Sequence, residues 1–145
     1  MKLTIAKLLV SLFIFLSSPY VNANIINVEI SNINTNKPGN ILIMLFGKDG
    51  FPIEHQKALD IKIKPALTSS INVSFDNVNP IFAIKVLHDE DENGQVTKNW
   101  LGLIPTEGMG FSNGAKLNFG PPSFKDAKLI MQEVDPVINL PIIYP

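Results

Sequence analysis

The sequence contains neither cysteine nor arginine. Without cysteine the chain can form no disulfide, no thiolate metal site and no thiol nucleophile, so thiol and redox chemistry are excluded. Without arginine it lacks the bidentate fork that nucleic-acid interfaces commonly use. Its 12 lysines face 13 acidic residues, and the net charge of −1 leaves no basic excess for a polyanion. We therefore expect no nucleic-acid partner.

Long apolar runs are also scarce, and the one extended run is Leu8 to Leu16 near the N-terminus. Two lysines precede this run, a Ser-Ser-Pro break follows it, and the small-residue site Val21-Asn22-Ala23 comes next. This order predicts a cleavable secretory signal peptide at residues 1–23. A membrane anchor is the alternative, but a span needs roughly 20 apolar residues. We expect a periplasmic or secreted protein with no membrane span after cleavage.

Cleavage after residue 23 would leave residues 24–145, a chain of 122 residues with 10 lysines and 13 acids, hence a net charge of −3. This length is typical of one domain. A chain of this size buries about two-thirds of its unfolded surface and needs no covalent cross-link to fold. The sequence therefore predicts one weakly acidic domain at residues 24–145.

Short alternating apolar runs, separated by clusters of Asn, Gly, Pro and Asp, dominate this region, and no segment holds a helical period for long. The pattern predicts an all-β fold, a single antiparallel two-sheet β-sandwich of the immunoglobulin-like or transthyretin-like kind with about seven strands. The run Ile41 to Phe46 is apolar at every position and predicts a central strand. The expected strands fall near residues 26–30, 41–46, 61–63, 71–75, 81–87, 127–131 and 137–143.

A long irregular region, His88 to Pro122, interrupts this pattern with Gly, Asn, Pro and scattered aromatic residues. Loops of such length in compact domains are usually functional or locally folded. Two interpretations of its aromatic residues compete. In the first interpretation, the region forms a binding face, whose candidate residues are His88, Trp100, Phe111, Ser112 and Asn113. Alternatively Trp100, Phe111, Phe119 and Phe124 fold back and plug an open end of the sandwich, since most large apolar side chains are buried.

The sharpest local motif is Asp89-Glu90-Asp91-Glu92-Asn93-Gly94-Gln95, directly after a predicted core strand. The oxygens of Asp89, Asp91 and Asn93 at alternate positions, with the carbonyl of Gln95, match the first half of a calcium loop. The second half is missing, because Trp100 stands where the twelfth-position acid belongs. The motif predicts a weak Ca²⁺ site with a dissociation constant of about 10⁻⁴ to 10⁻³ M. The competing interpretation is a solvated acidic turn built on Asn93-Gly94.

Catalytic residues are not predicted by any motif. The two histidines are His55 and His88, and His88 beside Asp89 is not a triad because neighbours in a strand face opposite sides. The serines of the glycine-rich loops lack a nucleophile-elbow pattern. The sequence predicts no enzyme and no cofactor other than the weak calcium.

A set of short motifs is spread over nearly the whole chain after the leader: Gly50-Phe51-Pro52, His88-Asp89 followed by Asn93-Gly94, Asn99-Trp100-Leu101-Gly102, Glu107-Gly108, Gly110-Phe111-Ser112-Asn113 and Phe119-Gly120-Pro121-Pro122-Ser123-Phe124. In their order and spacing these motifs resemble the exported bacterial family known as domain of unknown function 2141. The resemblance implies a secreted or periplasmic β-sandwich with no assigned activity. Family members often carry an acid where this chain has Thr97, a departure that weakens the calcium prediction here.

Three functional classes follow. The first is a non-enzymatic binding or interaction module for an extracytoplasmic ligand or protein, with its binding surface in residues 88–122. The second is an exported hydrolase that uses His88 with carboxylates of the acidic loop. The third is a structural or assembly protein of the envelope that adds strands edge to edge at Val137 to Ile143.

Overall fold

The computed structural model describes residues 24–145, so the predicted signal peptide at residues 1–23 lies outside the described residues. Eight strands, one short helix and two 3₁₀ turns follow along the chain. The strands are β1 (Ile26–Ser31), β2 (Asn40–Phe46), β3 (Asp60–Pro65), β4 (Ile71–Phe75), β5 (Ile81–Asp89), β6 (Met109–Phe111), β7 (Leu129–Ile130) and β8 (Val137–Pro141). The helix α1 is Phe124–Ala127, and the 3₁₀ turns are His55–Lys57 and Ser112–Gly114.

The strands form two sheets, which confirms the predicted all-β two-sheet sandwich. One sheet has the order β4-β1-β8, and the other has the order β3-β2-β5-β6, with β7 paired to the start of β5. Every strand pair is antiparallel except β1 and β8, which run parallel. A parallel pair needs a long crossover connection. The strands of the other sheet, which come between β1 and β8 in the chain, provide this connection.

The five-stranded sheet is apolar on both faces because each face is covered. Its inner face packs against the three-stranded sheet through a core of Ile, Val, Leu and Phe side chains that includes Ile43, Val86 and Phe75. Its outer face carries a second buried cluster around Met44 and Phe46, with Phe51 packed against it. The run Ile41 to Phe46 is therefore the central strand that its composition predicts, with β3 and β5 on its two sides.

Two local predictions were wrong. Residues 109–111 lie in the region predicted to be an irregular loop, yet they form β6, because they pair with residues 85–87 of β5, which are remote in sequence. Ala127 was assigned to a strand, yet it ends α1. The side chain of Ser123 caps that helix by accepting the N–H of Asp126, a local signal that outweighs the alternating pattern.

The C-terminal segment passes from one sheet to the other. The N–H of Ile142 donates to the carbonyl of Ser31 in the three-stranded sheet, at 2.9 Å. One residue later, Ile143 exchanges two backbone hydrogen bonds with Met109 of β6, at 2.8 and 2.9 Å. The two sheets are therefore joined along one side by backbone hydrogen bonds as well as by side-chain packing.

Within residues 24–145, no helix has the length and apolar character needed to cross a membrane.

Candidate functional site

The acidic loop, residues 89–95, begins at the last residue of β5. Side chains alternate along that strand, so His88 points to the inner face of the sheet and Asp89 to the outer face. The opposite partner of Asp89 is Asn40, the first residue of β2. The acidic loop therefore lies at one end of the five-stranded sheet, on the side away from the other sheet.

Three carboxylates converge at this end. Oxygen atoms of Asp89, Asp91 and Glu107 all lie within 4.8 Å of one another. Glu107 is brought there by β6, because the pairing of Met109 with Leu87 places the residues just before β6 beside the end of β5. An acid from the returning chain therefore lies beside the loop, whose own sequence lacks an acid at the twelfth position.

Backbone N–H groups hold two of these carboxylates in place. Asp89 accepts the N–H of Asn93 at 3.1 Å on one oxygen and the N–H of Gly94 at 2.8 Å on the other. Glu107 accepts the N–H groups of Glu90 and Thr97, at 2.9 and 2.8 Å. A carboxylate oxygen can accept two hydrogen bonds, so each oxygen keeps a lone pair for a further partner.

The side chain of Asn93 makes hydrogen bonds within the turn. Its amide oxygen accepts the N–H of Gln95 at 2.7 Å, and its amide nitrogen donates to Asp91 Oδ2 at 2.9 Å and to Thr97 Oγ1. Thr97 Oγ1 also donates to Asp91 Oδ2, at 2.8 Å. Asn93 therefore closes the turn, and the acid cluster contains Glu107 besides the predicted Asp89 and Asp91. The ligand roles of Asn93 and of the Gln95 carbonyl stay predictions.

The pKa values of two acids show the local electrostatics. The Thr97 hydroxyl, by donating to the exposed Asp91, lowers the pKa of that carboxyl. Burial raises the pKa of Glu107, and the nearby charges of Asp91 and Asp89 add to this effect, against the two backbone N–H groups that lower it. A buried carboxylate beside two others is the arrangement that a bound cation would stabilise.

A buried pair, His55 and Lys85, lies next to the loop on the outer face of the sheet. Lys85 Nζ donates to the carbonyl of Pro52 at 2.8 Å and to His55 Nε2 at 2.7 Å. The other ring nitrogen of His55 lies 2.9 Å from the carbonyl of Gly94, so it carries the hydrogen and donates to the acidic loop. Burial first, and then the charge of Lys85, lowers the pKa of His55. The 3₁₀ turn at His55–Lys57 is thereby tied to the acidic loop.

His88, a predicted member of the binding face, is fully buried on the inner side. Its Nε2 lies 2.9 Å from the carbonyl of Pro38, which can only accept, so Nδ1 accepts the hydroxyl of Tyr144 at 2.7 Å. Tyr144 Oη accepts in turn the N–H of Asn34. His88 therefore joins three chain segments and faces away from the loop carboxylates, so it belongs to no exposed face.

The other binding-face candidates do not share one surface. Phe111 is buried in the outer cluster, and Ser112 is buried with its hydroxyl between the N–H of Ile84 and the carbonyl of Ala127. Asn113 is exposed and borders a surface cleft of about 310 Å³. Trp100 is 92% exposed. The predicted binding face is therefore divided between interior and surface.

The plug interpretation holds for only part of the aromatic set. Phe51 makes edge-to-face contacts with Phe111 and Phe124, at centroid distances of 6.3 and 5.9 Å. Phe119 and Trp100, in contrast, project fully into solvent. Phe119 borders a second cleft of about 510 Å³ with Pro121 and Pro122. Neither of the two clefts includes a residue of the acidic loop or His88.

Sequence reasoning did not connect Glu107, Lys85 or His55 with the acidic loop. Glu107 belongs to the Glu107-Gly108 motif of the family resemblance, but no local pattern joins it to a loop 12 residues earlier. Lys85 had a clearer signal, since it is the one charge inside the apolar run Ile81 to Leu87. A buried lysine requires partners from elsewhere in the fold.

Comparison with known proteins gives one family. A family model described as "Uncharacterized protein conserved in bacteria (DUF2141)" matches residues 28–139, which confirms the resemblance carried by the motifs. No curated protein and no solved structure matches the chain.

Proposed function

Because the chain belongs to the DUF2141 family of bacterial proteins, a family without an assigned activity, we propose its function from its own geometry. The protein is a non-enzymatic binding module that works outside the cytoplasm, periplasmic or secreted, and holds a divalent cation, Ca²⁺, at the end of β5. The ligands are carboxylates of Asp89, Asp91 and Glu107.

The convergence of these three acids within 4.8 Å carries the proposal. Carboxylate oxygens suit calcium, which takes 6 to 8 oxygen ligands in an adaptable geometry, and water supplies the remainder. Asp89 and Glu107 are buried and already oriented by backbone N–H groups. Three like charges so close repel one another, and a cation offsets that repulsion.

Export rests on the leader-like sequence of residues 1–23. Millimolar calcium is common outside the cytoplasm, so a weak site with a dissociation constant of about 10⁻⁴ to 10⁻³ M would be occupied there. Location and cation affinity support each other in this proposal.

The two rival functions have less support. A hydrolase built on His88 and the loop carboxylates requires them to converge in one pocket, whereas His88 is buried on the opposite face of the sheet. For strand addition, β8 is the edge of its sheet, with β1 on one side. Just beyond it, Ile143 already pairs with Met109, which shortens the edge open to another chain.

Thermal unfolding tests the cation site. We expect millimolar Ca²⁺ to raise the melting temperature by more than equal Mg²⁺, because calcium accepts irregular oxygen geometry and magnesium does not. Binding to the folded state alone stabilises it by mass action, so the shift grows with calcium concentration. Differential scanning calorimetry with and without a chelator measures it.

Asp91→Asn and Glu107→Gln are the informative variants, and we expect both to lose most of the calcium shift. Asp91→Asn leaves the buried Asp89 in place, so the loop keeps its backbone hydrogen bonds. Glu133→Gln is the matched control, since Glu133 is an exposed acid elsewhere on the surface. An unmoved melting curve in the unsubstituted protein and in Asp89→Ala alike would show the cation proposal to be wrong.

A further inference from the structure

A β-hairpin projects from the loop region next to the carboxylates. Its base is closed by the N–H of Thr106 donating to the carbonyl of Thr97, at 2.9 Å, and by a bridge between Lys98 and Pro105. At its turn, Asn99 accepts the N–H of Gly102 on its carbonyl and the N–H of Leu103 on its side chain. The tip is therefore an ordered turn, and we call residues 97–106 the apolar hairpin.

Four large apolar side chains of this hairpin lie in solvent. Trp100, Leu101, Leu103 and Ile104 are 92%, 54%, 75% and 59% exposed. Single exposed apolar residues are ordinary on a protein surface, but four within five consecutive positions of one turn concentrate exposed apolar surface, which is typical of an interaction site.

The size of the patch argues against a protein partner. A stable protein interface uses about 20 to 30 residues on each side, and the apolar hairpin offers only four large side chains on a projecting turn. A rigid partner would need a matching pocket for this convex shape. A fluid lipid layer needs none, because it closes around whatever is inserted.

The composition also fits a lipid interface. Tryptophan favours the headgroup level of a bilayer, where its ring meets hydrocarbon and its N–H remains wet. Lys98 is the only charged residue of the hairpin and is exposed at its base, at the level where anionic headgroups lie. No acid lies between Lys98 and Thr106 to oppose insertion.

We propose that the apolar hairpin is a membrane-docking element, whose tip of Trp100, Leu101, Leu103 and Ile104 inserts into the interfacial layer of a phospholipid membrane. Insertion is peripheral and reversible, because four side chains bury far less apolar surface than a spanning segment.

The carboxylates make docking on an anionic membrane dependent on a cation, an extension that rests on the proposed function. Thr97, at the base of the hairpin, is hydrogen-bonded to both Asp91 and Glu107. Without a cation these acids lie near the lipid surface and repel anionic headgroups. With Ca²⁺ bound, that repulsion falls, and a lipid phosphate can complete the coordination.

Trp100 is the only tryptophan of the chain, so its emission reports the environment of the tip directly. The purified protein is titrated with vesicles of phosphatidylcholine, and with vesicles that also contain phosphatidylglycerol, each with millimolar Ca²⁺ or a chelator. We expect Trp100 emission to shift to shorter wavelength with phosphatidylcholine in both conditions, and with the anionic vesicles chiefly when Ca²⁺ is present.

The variant Leu103→Asp with Ile104→Asp keeps the reporter and places charge at the tip. We expect its partition coefficient for vesicles to fall by about tenfold or more, because the burial of apolar side chains is replaced by the cost of desolvating two carboxylates. Ile81→Asp is the matched control. Ile81 is 48% exposed and is the first residue of β5, at the end of that strand opposite to Asp89, so its substitution leaves the emission shift unchanged.

The outcomes separate the two proposals. If Ca²⁺ raises the melting temperature but Trp100 emission never moves with either vesicle, the membrane proposal is overturned and the cation site stands. If emission moves with phosphatidylcholine while Ca²⁺ leaves the melting curve unchanged, the cation site fails and membrane docking stands. If emission instead moves with protein concentration in the absence of lipid, and light scattering gives a dimer, a second copy covers the tip and membrane docking is wrong.

Discussion

At the scale of single residues, Lys85 is the one buried lysine in the part of the chain that the structure describes. It is 3% exposed and hydrogen-bonded to Pro52 and His55. Burial lowers the pKa of Lys85 to about 8, although the charge of Glu107 acts in the opposite direction. The fold therefore holds an ammonium group under unfavourable solvation at neutral pH.

The lowered pKa of Lys85 makes stability depend on pH. Between pH of about 8 and 10.5 the unfolded chain binds a proton that the folded chain has lost, so the free energy of unfolding rises with pH, by about 3 kcal/mol over the full window. His55, whose pKa is lowered from 6.5, titrates below this window, and Tyr144, whose pKa is raised from 10.0, titrates above most of it. Urea unfolding at intervals from pH 8 to 10 measures the slope.

Lys85→Met removes the titrating group and is expected to flatten this slope. The exposed Lys116 gives the matched control Lys116→Met, in which the slope persists. An equal slope in both variants would show that another group causes it.

The local sequence pattern predicts the orientation of His88 and Asp89, but it does not predict which residues surround them. Alternation along a strand was enough to place the two side chains on opposite faces. The convergence of Glu107 with Asp89 depends on the pairing of β6 with β5, and the three residues of β6 are too few to show a period. The solvent exposure of Trp100 contradicts the usual burial of large apolar residues, and such departures occur where a surface has a partner.

At the scale of elements, the turn before β2 supports the acidic loop. Gly39 has a φ of +97°, and a Cβ placed on it would lie 2.0 Å from the carbonyl oxygen of Asp89. The backbone of this turn therefore lies directly against the end of β5. Lys37, two residues earlier, forms a 2.7 Å ion pair with Glu90.

We expect Gly39→Ala to lower the free energy of unfolding by about 3 kcal/mol or more. A positive φ alone costs an L-residue about 1–2 kcal/mol, and the overlap with the backbone of Asp89 adds to it because neither strand end can move freely. Gly102→Ala is the control, since Gly102 has a φ of +70° with open space around it. If chemical denaturation gives the two variants equal losses, the contact with Asp89 contributes nothing.

The predicted elements agree with the fold where the apolar residues follow a simple period. They disagree where a helix cap or a strand partner remote in sequence determines the local structure. The strands β1 to β5 and β8 follow apolar alternation or continuous apolar runs. The alternating pattern around Ala127 predicts a strand, but the N-cap at Ser123 favours the helix α1 instead. The parallel pairing of β1 with β8 has no local signal, because strand direction depends on the path of the whole chain.

At the scale of the whole molecule, the two sheets meet closely where β6 approaches the C-terminal segment. A Cβ on Gly110 would lie 2.5 Å from both Leu140 Cδ2 and the carbonyl oxygen of Pro141. The side chain of Leu140 can rotate, but the backbone of Pro141 is held by its neighbours. Glycine at this position is what lets the sandwich close on this side.

Gly110→Ala should therefore push the sheets apart and destabilise the protein by about 1–3 kcal/mol, as overpacking does in other cores. Hydrogen exchange at Ile142 and Ile143 should accelerate, since their amides bond across this junction. Gly120→Ala, at a position with open space around it, serves as the control for both measurements. Unchanged exchange in Gly110→Ala would show that the sheets do not depend on this glycine to close.

The parallel pairing of β1 with β8 also determines how the molecule carries mechanical load. A pull applied just before β1 and just after β8 acts at opposite ends of the pair and slides one strand along the other. The hydrogen bonds between residues 27–31 and residues 137–141 are then loaded together, whereas an antiparallel pair pulled from one end would open one bond at a time. A module held at both ends would thus resist extension through its smaller sheet.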